Sequence, residues 1–157
     1  MHMPEASVHA INVSDGGVPK RACGSAWIDA EGVEGDRQRD LRYHGGPNRA
    51  VALYSLELIR TLQAEGHPIV PGSIGENLTL SGLDWGLMVP GIQVQVGDVL
   101  LELTAYAAPC KKIAGSFTGD AFTRVSQKVH PGWSRLYATV LRPGRVMIDA
   151  PVAIPPV

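Results

Sequence analysis

Short apolar runs that end at glycine or proline recur along the whole chain and limit the folds open to it. Residues 92–96 and 99–103 alternate apolar and polar side chains around Gly97-Asp98, which predicts a β-hairpin. Further strand signals lie at residues 8–13, 23–28, 50–54, 78–80, 136–141 and 146–148. Because few helices separate these strands and the chain has 18 glycines and 12 prolines, we predict a mostly β, barrel-like domain with a few short α-helices.

One segment has a clear helical pattern. Ser55 is a candidate N-cap, and Leu58, Ile59 and Leu62 fall on one face of the predicted helix. A glycine and a proline that follow predict its end. A second helix is expected at residues 120–129.

Length and charge restrict the class of protein. The 157 residues predict one domain spanning 1–157, with a core of its own. Fourteen basic residues against fifteen acidic ones imply no broad basic surface, so nucleic acid is not an expected partner. No apolar run approaches about 18 residues and no targeting segment precedes the domain, so no membrane is expected either. With two cysteines, a cytoplasmic protein with reduced thiols is predicted.

A cysteine follows the strongest strand signal. After residues 99–103 the chain breaks at Pro109 and presents Cys110, then Lys111 and Lys112. Positive charge beside a thiol favours the thiolate, the form that attacks electrophiles or binds metal. The alternative is an inert cysteine in the core, since cysteine is among the most buried residue types.

Two glycine-containing loops are the other candidate sites. In the first, Gly45-Gly46 lets backbone N–H groups approach an anion, and Arg42 and Arg49 could contact phosphate; a solvated basic face is the alternative. In the second, Asn77 offers a donor and an acceptor, or caps a turn. No zinc-ligand spacing occurs. A hydrolase with Cys110 as nucleophile and His44 as base has no local support.

Taken in order, these loops resemble the MOSC family, the domain also found at the C terminus of molybdenum cofactor sulfurases. The similarity extends from about residue 13 to about residue 152. The matching motifs are Gly16-Gly17-Val18-Pro19-Lys20, Gly32-Val33-Glu34-Gly35-Asp36-Arg37, His44-Gly45-Gly46-Pro47-Asn48-Arg49-Ala50-Val51, Tyr54-Ser55, Pro71-Gly72-Ser73-Ile74-Gly75-Glu76-Asn77-Leu78-Thr79, Gly82-Leu83, Gly97-Asp98-Val99-Leu100 and Pro109-Cys110.

The resemblance implies a MOSC-type β-barrel with a pocket for the molybdenum cofactor, in which Cys110 is the metal ligand or the sulfur carrier and the one catalytic residue. A thiolate is a soft ligand suited to both tasks, and the phosphate of the cofactor needs cationic donors. The cofactor-binding residues implied in this sequence are Lys20, Arg37, Arg42, His44, Gly45, Gly46, Arg49, Glu76, Asn77 and Lys111.

The sequence departs from the family in ways that bear on activity. Ala107 stands where family members that reduce N-hydroxylated bases often have an arginine, and the chain has no pyridoxal-phosphate domain. Cys23 matches no motif and is interpreted as structural. Three functions stay open: a carrier that passes the cofactor or its sulfur to an acceptor protein, an oxotransferase that reduces N-hydroxylated substrates with electrons from a redox partner, and a metal-free β-barrel binding module.

Overall fold

The computed structural model describes residues 5–36 and 46–156, which form one eight-stranded and one three-stranded sheet. The strands are β1 (Ser7–Val13), β2 (Arg21–Cys23), β3 (Ser25–Asp29), β4 (Gly32–Val33), β5 (Val51–Ser55), β6 (Leu78–Ser81), β7 (Gln93–Val96), β8 (Val99–Tyr106), β9 (Leu136–Arg142), β10 (Gly144–Met147) and β11 (Val152–Ala153). The helix α1 spans Leu56–Ala64, and 3-10 turns span Pro47–Arg49, Trp85–Leu87, Lys111–Ser116, Thr118–Asp120 and Phe122–Val125.

The large sheet runs β11-β7-β8-β9-β5-β6-β1-β2, and the small one runs β10-β3-β4. Neighbouring strands are antiparallel except β5 and β6, which are parallel and joined through α1. The mostly β prediction is confirmed, but the closed barrel is wrong because β11 and β2 end the sheet unpaired with each other. These end strands have two and three residues. An isolated bridge between Ser7 and Pro151 and three backbone hydrogen bonds join residues 6–8 to residues 149–152, without a continuous ladder that would close the sheet.

The predicted hairpin and first helix are confirmed. Val96 pairs with Val99 across the β7–β8 turn. The Ser55 hydroxyl accepts a hydrogen bond from the Leu58 N–H at 3.1 Å and caps α1, whose side chains Ile59 and Leu62 are fully buried. Within the described ranges, no helix has the length and apolar character needed to cross a membrane.

The helix predicted at residues 120–129 is wrong. Two 3-10 turns occupy its first half, and Gly119 and Asp120 both adopt positive φ, which turns the chain before a helix can begin. Val125 is fully buried, whereas Val129 is 55% exposed. The Val125 side chain is therefore buried by a segment of 3-10 turns rather than by one face of an α-helix.

An aromatic pair in the core fixes the segment before β9. Tyr54 and Trp85 pack edge to face with ring centroids 5.9 Å apart. The Tyr54 hydroxyl donates to the Trp133 carbonyl at 2.8 Å, and the Trp85 indole N–H donates to the Ser134 carbonyl at 2.9 Å. Burial raises the pKa of Tyr54, so the hydroxyl remains a donor. These bonds hold the chain immediately ahead of Arg135.

Gly72 allows two backbone segments to touch, which leads to a stability prediction. Its φ is +84°, and a Cβ there would lie 2.5 Å from the Lys20 carbonyl oxygen; Gly66 has a similar φ of +99° but open space around it. We expect Gly66→Ala to lower the free energy of unfolding by about 1–2 kcal/mol from backbone strain alone. Gly72→Ala should cost clearly more in urea denaturation, because the segments must separate. Equal losses would contradict this.

Candidate functional site

Segments from three predicted motifs meet at one cleft. Lys20 from the turn before β2, Asn77 from the loop before β6 and Cys110 from the loop after β8 all line it. Its volume of about 90 Å³ is room for several water molecules and therefore for the reactive part of a ligand. The other lining residues are Gly17, Val18, Ala52, Ile74, Gly75, Ala108, Lys112, Ile113, Arg135 and Tyr137.

Cys110 lies where the chain leaves the sheet. Just beyond the β8–β9 ladder, the Ala107 N–H donates to the Arg135 carbonyl at 2.9 Å. The Cys110 carbonyl then accepts from the Ile113 N–H at 3.1 Å, starting a 3-10 turn. Residues three apart share a face of such a turn, and Cys110 and Ile113 both line the cleft. The thiol is half-buried at the cleft and is not enclosed in the core.

The wall behind the cleft contains a compensated ion pair. The Lys20 ammonium donates to Asp36 Oδ1 at 2.6 Å, and these side chains are only 8% and 4% exposed. The same oxygen accepts from the Ser14 N–H at 2.9 Å, and Asp36 Oδ2 accepts from Asn77 Nδ2 at 3.0 Å. Asn77 Oδ1 accepts from the Ala52 N–H at 2.9 Å. Asn77 therefore holds strand β5 and the carboxylate in place.

Glu76 is buried behind this wall. Its Oε2 accepts from the Thr79 hydroxyl at 3.1 Å, and that hydroxyl accepts from Asn12 Nδ2 at 3.0 Å. Oε1 has no hydrogen-bond partner among the described residues. Burial raises the pKa of Glu76 to about 7, although the hydrogen bond from Thr79 acts in the opposite direction. The Glu76 side chain does not line the cleft, and its contact with a ligand stays a prediction.

Arg135, Lys112 and Tyr137 line the cleft but were not among the predicted site residues. Arg135 is 7% exposed; Nη1 donates to the Ile74 carbonyl at 2.8 Å and Nη2 to the Ala108 carbonyl at 3.3 Å. In sequence it is a lone arginine before a strand, which carries no signal. The sequence signal for Lys112 was the pair of lysines that follows Cys110. Of that pair, Lys111 was predicted to bind the cofactor, but it is exposed and does not line the cleft.

The remaining predicted residues lie elsewhere. Gly46 precedes the 3-10 turn Pro47–Arg49, and neither it nor Arg49 lines the cleft. The Arg49 guanidinium lies 5.3 Å from the ring centroid of Tyr137, which is a cleft residue. Cys23 and Cys110 are both free thiols, and Cys23 lies on β2. The predicted residues Arg37, Arg42, His44 and Gly45 lie outside the described residues.

The donor set limits how a metal could be held. Across residues 5–36 and 46–156, no three histidine, cysteine, aspartate or glutamate side chains cluster closely enough to bind a metal ion. A metal at the cleft would therefore have Cys110 as its protein ligand in this part of the chain and would have to bring other ligands with it.

The raised pKa of Glu76 predicts a pH dependence of stability. A carboxyl group that titrates near 4.5 when unfolded and near 7 when folded stabilises the native state below pH 4.5 and loses that contribution as the pH rises through 7. Glu76→Gln removes the titration. Urea denaturation from about pH 5 to about pH 8 should show the free energy of unfolding of the unmodified protein falling relative to the variant by on the order of 1–3 kcal/mol.

Exposed Glu31→Gln controls for the loss of one carboxylate from the surface. A stability difference between Glu76→Gln and the unmodified protein that stays constant over this pH range would show that Glu76 does not bind its proton more tightly in the folded state.

Comparison with known proteins supports the resemblance noted in the motifs. The family model of the MOSC domain matches residues 40–153. Protein YiiM of Escherichia coli strain K12 is 30% identical over 136 residues, and YflK of Bacillus subtilis strain 168 is 32% identical over 133 residues. Each alignment covers 83% of this chain and 59% of the relative, so the chain spans about three-fifths of the length of these curated relatives.

The fold is also found in solved structures. The crystal structure of YiiM from Geobacillus stearothermophilus superposes with a TM-score of 0.74 over 96% of this chain and 75% of that one. At 22% identity this likeness shows a common fold alone. Since the family model covers most of the sequence and the motif loops meet at one cleft, the chain belongs to the MOSC domain family.

Proposed function

We propose that this cleft binds the molybdenum cofactor, or carries sulfur destined for it, through the Cys110 thiolate. The observation that carries the proposal is the meeting of Lys20, Asn77 and Cys110, from three separate motif loops, around one cleft. The MOSC family is associated with this cofactor, and the half-buried thiol in the loop after β8 lines the cleft, where a ligand can reach it.

The residues present fit such a ligand. Cys110 offers one soft thiolate, which suits a metal that arrives with its other ligands already in place. The charged side chains that line the cleft in the described part of the chain are Lys20, Lys112 and Arg135, all cationic. An anionic cofactor would be attracted by this lining, whereas a bare divalent cation would be repelled.

Four of the lining residues have a stated role in this proposal. Cys110 Sγ would hold the metal or a persulfide sulfur, and Lys112 and Arg135 would attract the negative groups of the ligand. Asn77 would act indirectly, because its amide is already occupied by Ala52 and Asp36. When bound, the cofactor would supply exchange of oxygen or sulfur at the metal; the protein would supply position and charge.

Exchange of the two cysteines tests the proposal. Cys110→Ser and Cys23→Ser would be purified from a host that makes the cofactor, and molybdenum and cyanide-releasable sulfur would be measured per protein chain. We expect at least one of them to approach one equivalent in the unmodified protein and in Cys23→Ser, and to be lost in Cys110→Ser. The proposal would be contradicted if the unmodified protein held neither molybdenum nor cyanide-releasable sulfur, or if Cys110→Ser held as much of them as the unmodified protein.

The same exchange should leave folding almost unchanged. Cys110 is half-buried in a loop, so we expect Cys110→Ser to change the free energy of unfolding by no more than about 0.5 kcal/mol. Thermal unfolding of the variant beside the unmodified protein measures this change. A large fall would mean that the sulfur serves as core packing.

Turnover separates a carrier from an oxotransferase. The metal-loaded protein would be given a hydroxylamine substrate and an artificial reductant. Stoichiometric molybdenum without reduction supports the carrier. Reduction that disappears in Cys110→Ser supports the enzyme, for which a separate redox partner would take the place of the artificial reductant.

A further inference from the structure

Arg135 is a buried cation that forms no ion pair with a carboxylate of the described residues. The buried Glu76 carboxyl interacts with it electrostatically, but the two side chains form neither an ion pair nor a hydrogen bond. Burial raises the pKa of Glu76 to about 7, so this carboxyl is only partly ionised near neutral pH. A guanidinium has five N–H donors, and two carbonyls accept from Arg135. Nε is buried and has no partner among the described residues. Burying a charge and a donor in this way is costly unless a further group pairs with them.

The position of Arg135 is fixed relative to the thiol. Its Nη atoms bridge Ile74, in the loop before β6, and Ala108, two residues before Cys110. The Arg135 carbonyl also accepts from the Ala107 N–H. The preceding Ser134 carbonyl is held by the Trp85 indole. The guanidinium therefore joins two of the loops that line the cleft and is bonded to the segment that carries the sulfur.

The three cleft cations differ in how their charge is compensated. The charge of Lys20 is offset by Asp36 at 2.6 Å. Lys112 is exposed, so water and salt screen it. Arg135 is buried, and a charge in such a site is screened much less. Arg135 should therefore contribute most to the potential that a ligand meets at Cys110.

We propose that Arg135 makes the cleft select ligands that carry a negative charge, such as a carboxylate, a phosphate or a sulfur oxyanion, close to the Cys110 sulfur. The two carbonyl contacts hold the guanidinium in place, and the remaining N–H donors receive the anion. This inference rests on Cys110 being the reactive group of the proposed function. The alternative is a clamp that only holds the two loops together.

Alkylation by two reagents of similar size measures the selection without any cofactor. Iodoacetate is an anion and iodoacetamide is neutral, and both react with the same thiolate, so the ratio of their rates cancels the thiolate fraction. On a Cys23→Ser background, Cys110 is the one thiol. We expect its iodoacetate-to-iodoacetamide ratio to exceed that of Cys23 measured in Cys110→Ser.

Arg135→Gln removes the charge and should lower the ratio at Cys110 by about three- to tenfold, whereas Arg135→Lys should retain most of it. Arg145→Gln is the matched control, because Arg145 is an exposed arginine on β10 and lies 3.4 Å from Glu34, away from the cleft lining. Its ratio should equal that of the parent. An unchanged ratio in Arg135→Gln would overturn the proposal and leave only the clamp.

A measurement on the parent remains decisive if Arg135→Gln fails to fold. Inorganic phosphate should slow the iodoacetamide reaction at Cys110 more than chloride of equal ionic strength, because it occupies the anion site. Equal effects of the two salts would overturn the proposal. If the unmodified protein binds neither molybdenum nor sulfur but Cys110 keeps a high iodoacetate-to-iodoacetamide ratio, the proposed function alone is wrong. The failure of the proposed function can therefore be told apart from the failure of this inference.

Discussion

The buried carboxylate of Asp36 is the interaction on which the arrangement of the cleft depends. Its two oxygens accept from Lys20, from the Ser14 N–H and from Asn77, which belong to the segments before β2, after β1 and before β6. Removal of one partner from a buried pair typically costs about 3–5 kcal/mol, since it leaves a charge uncompensated. Polar contacts therefore hold three segments in one geometry: the β1–β2 connection, the segment after β4 that carries Asp36, and the loop before β6.

This compensation divides the cleft into a rigid wall and a reactive edge. On the wall, Lys20 and Asn77 already have protein partners, so their role is to keep β5 and the loop before β6 in place. At the edge, Cys110 is half-buried and Arg135 retains donors that no described residue accepts. Polar groups left unpaired inside a folded domain are costly, and such sites are where a ligand finds its partners. The half-buried thiol and the unpaired guanidinium donors are therefore the groups through which the cleft can bind a ligand.

Local sequence patterns predicted a large part of the fold. The Ser55 cap and the β7–β8 hairpin depend on neighbours in sequence, and both occur as predicted. Closure of the sheet depended on pairing between residues 6–8 and 149–152, which are distant in sequence and which no local pattern links, and the barrel prediction was wrong. The predicted helix at residues 120–129 was wrong because positive φ at two adjacent residues turned the chain there. Errors therefore arose where a distant strand or an unusual backbone conformation outweighed side-chain periodicity.

The sequence by itself determined the three motif loops and the presence of a thiol next to lysines, because those are properties of adjacent residues. Only the tertiary structure decided which cation faces that thiol. Lys20, predicted as a ligand contact, is paired with Asp36, whereas Arg135, a lone arginine in sequence, is placed beside Ala108 by the β8–β9 pairing. Whether a charge is compensated depends on atoms that folding brings within a few ångströms, and electrostatic energy falls with that distance rather than with separation along the chain.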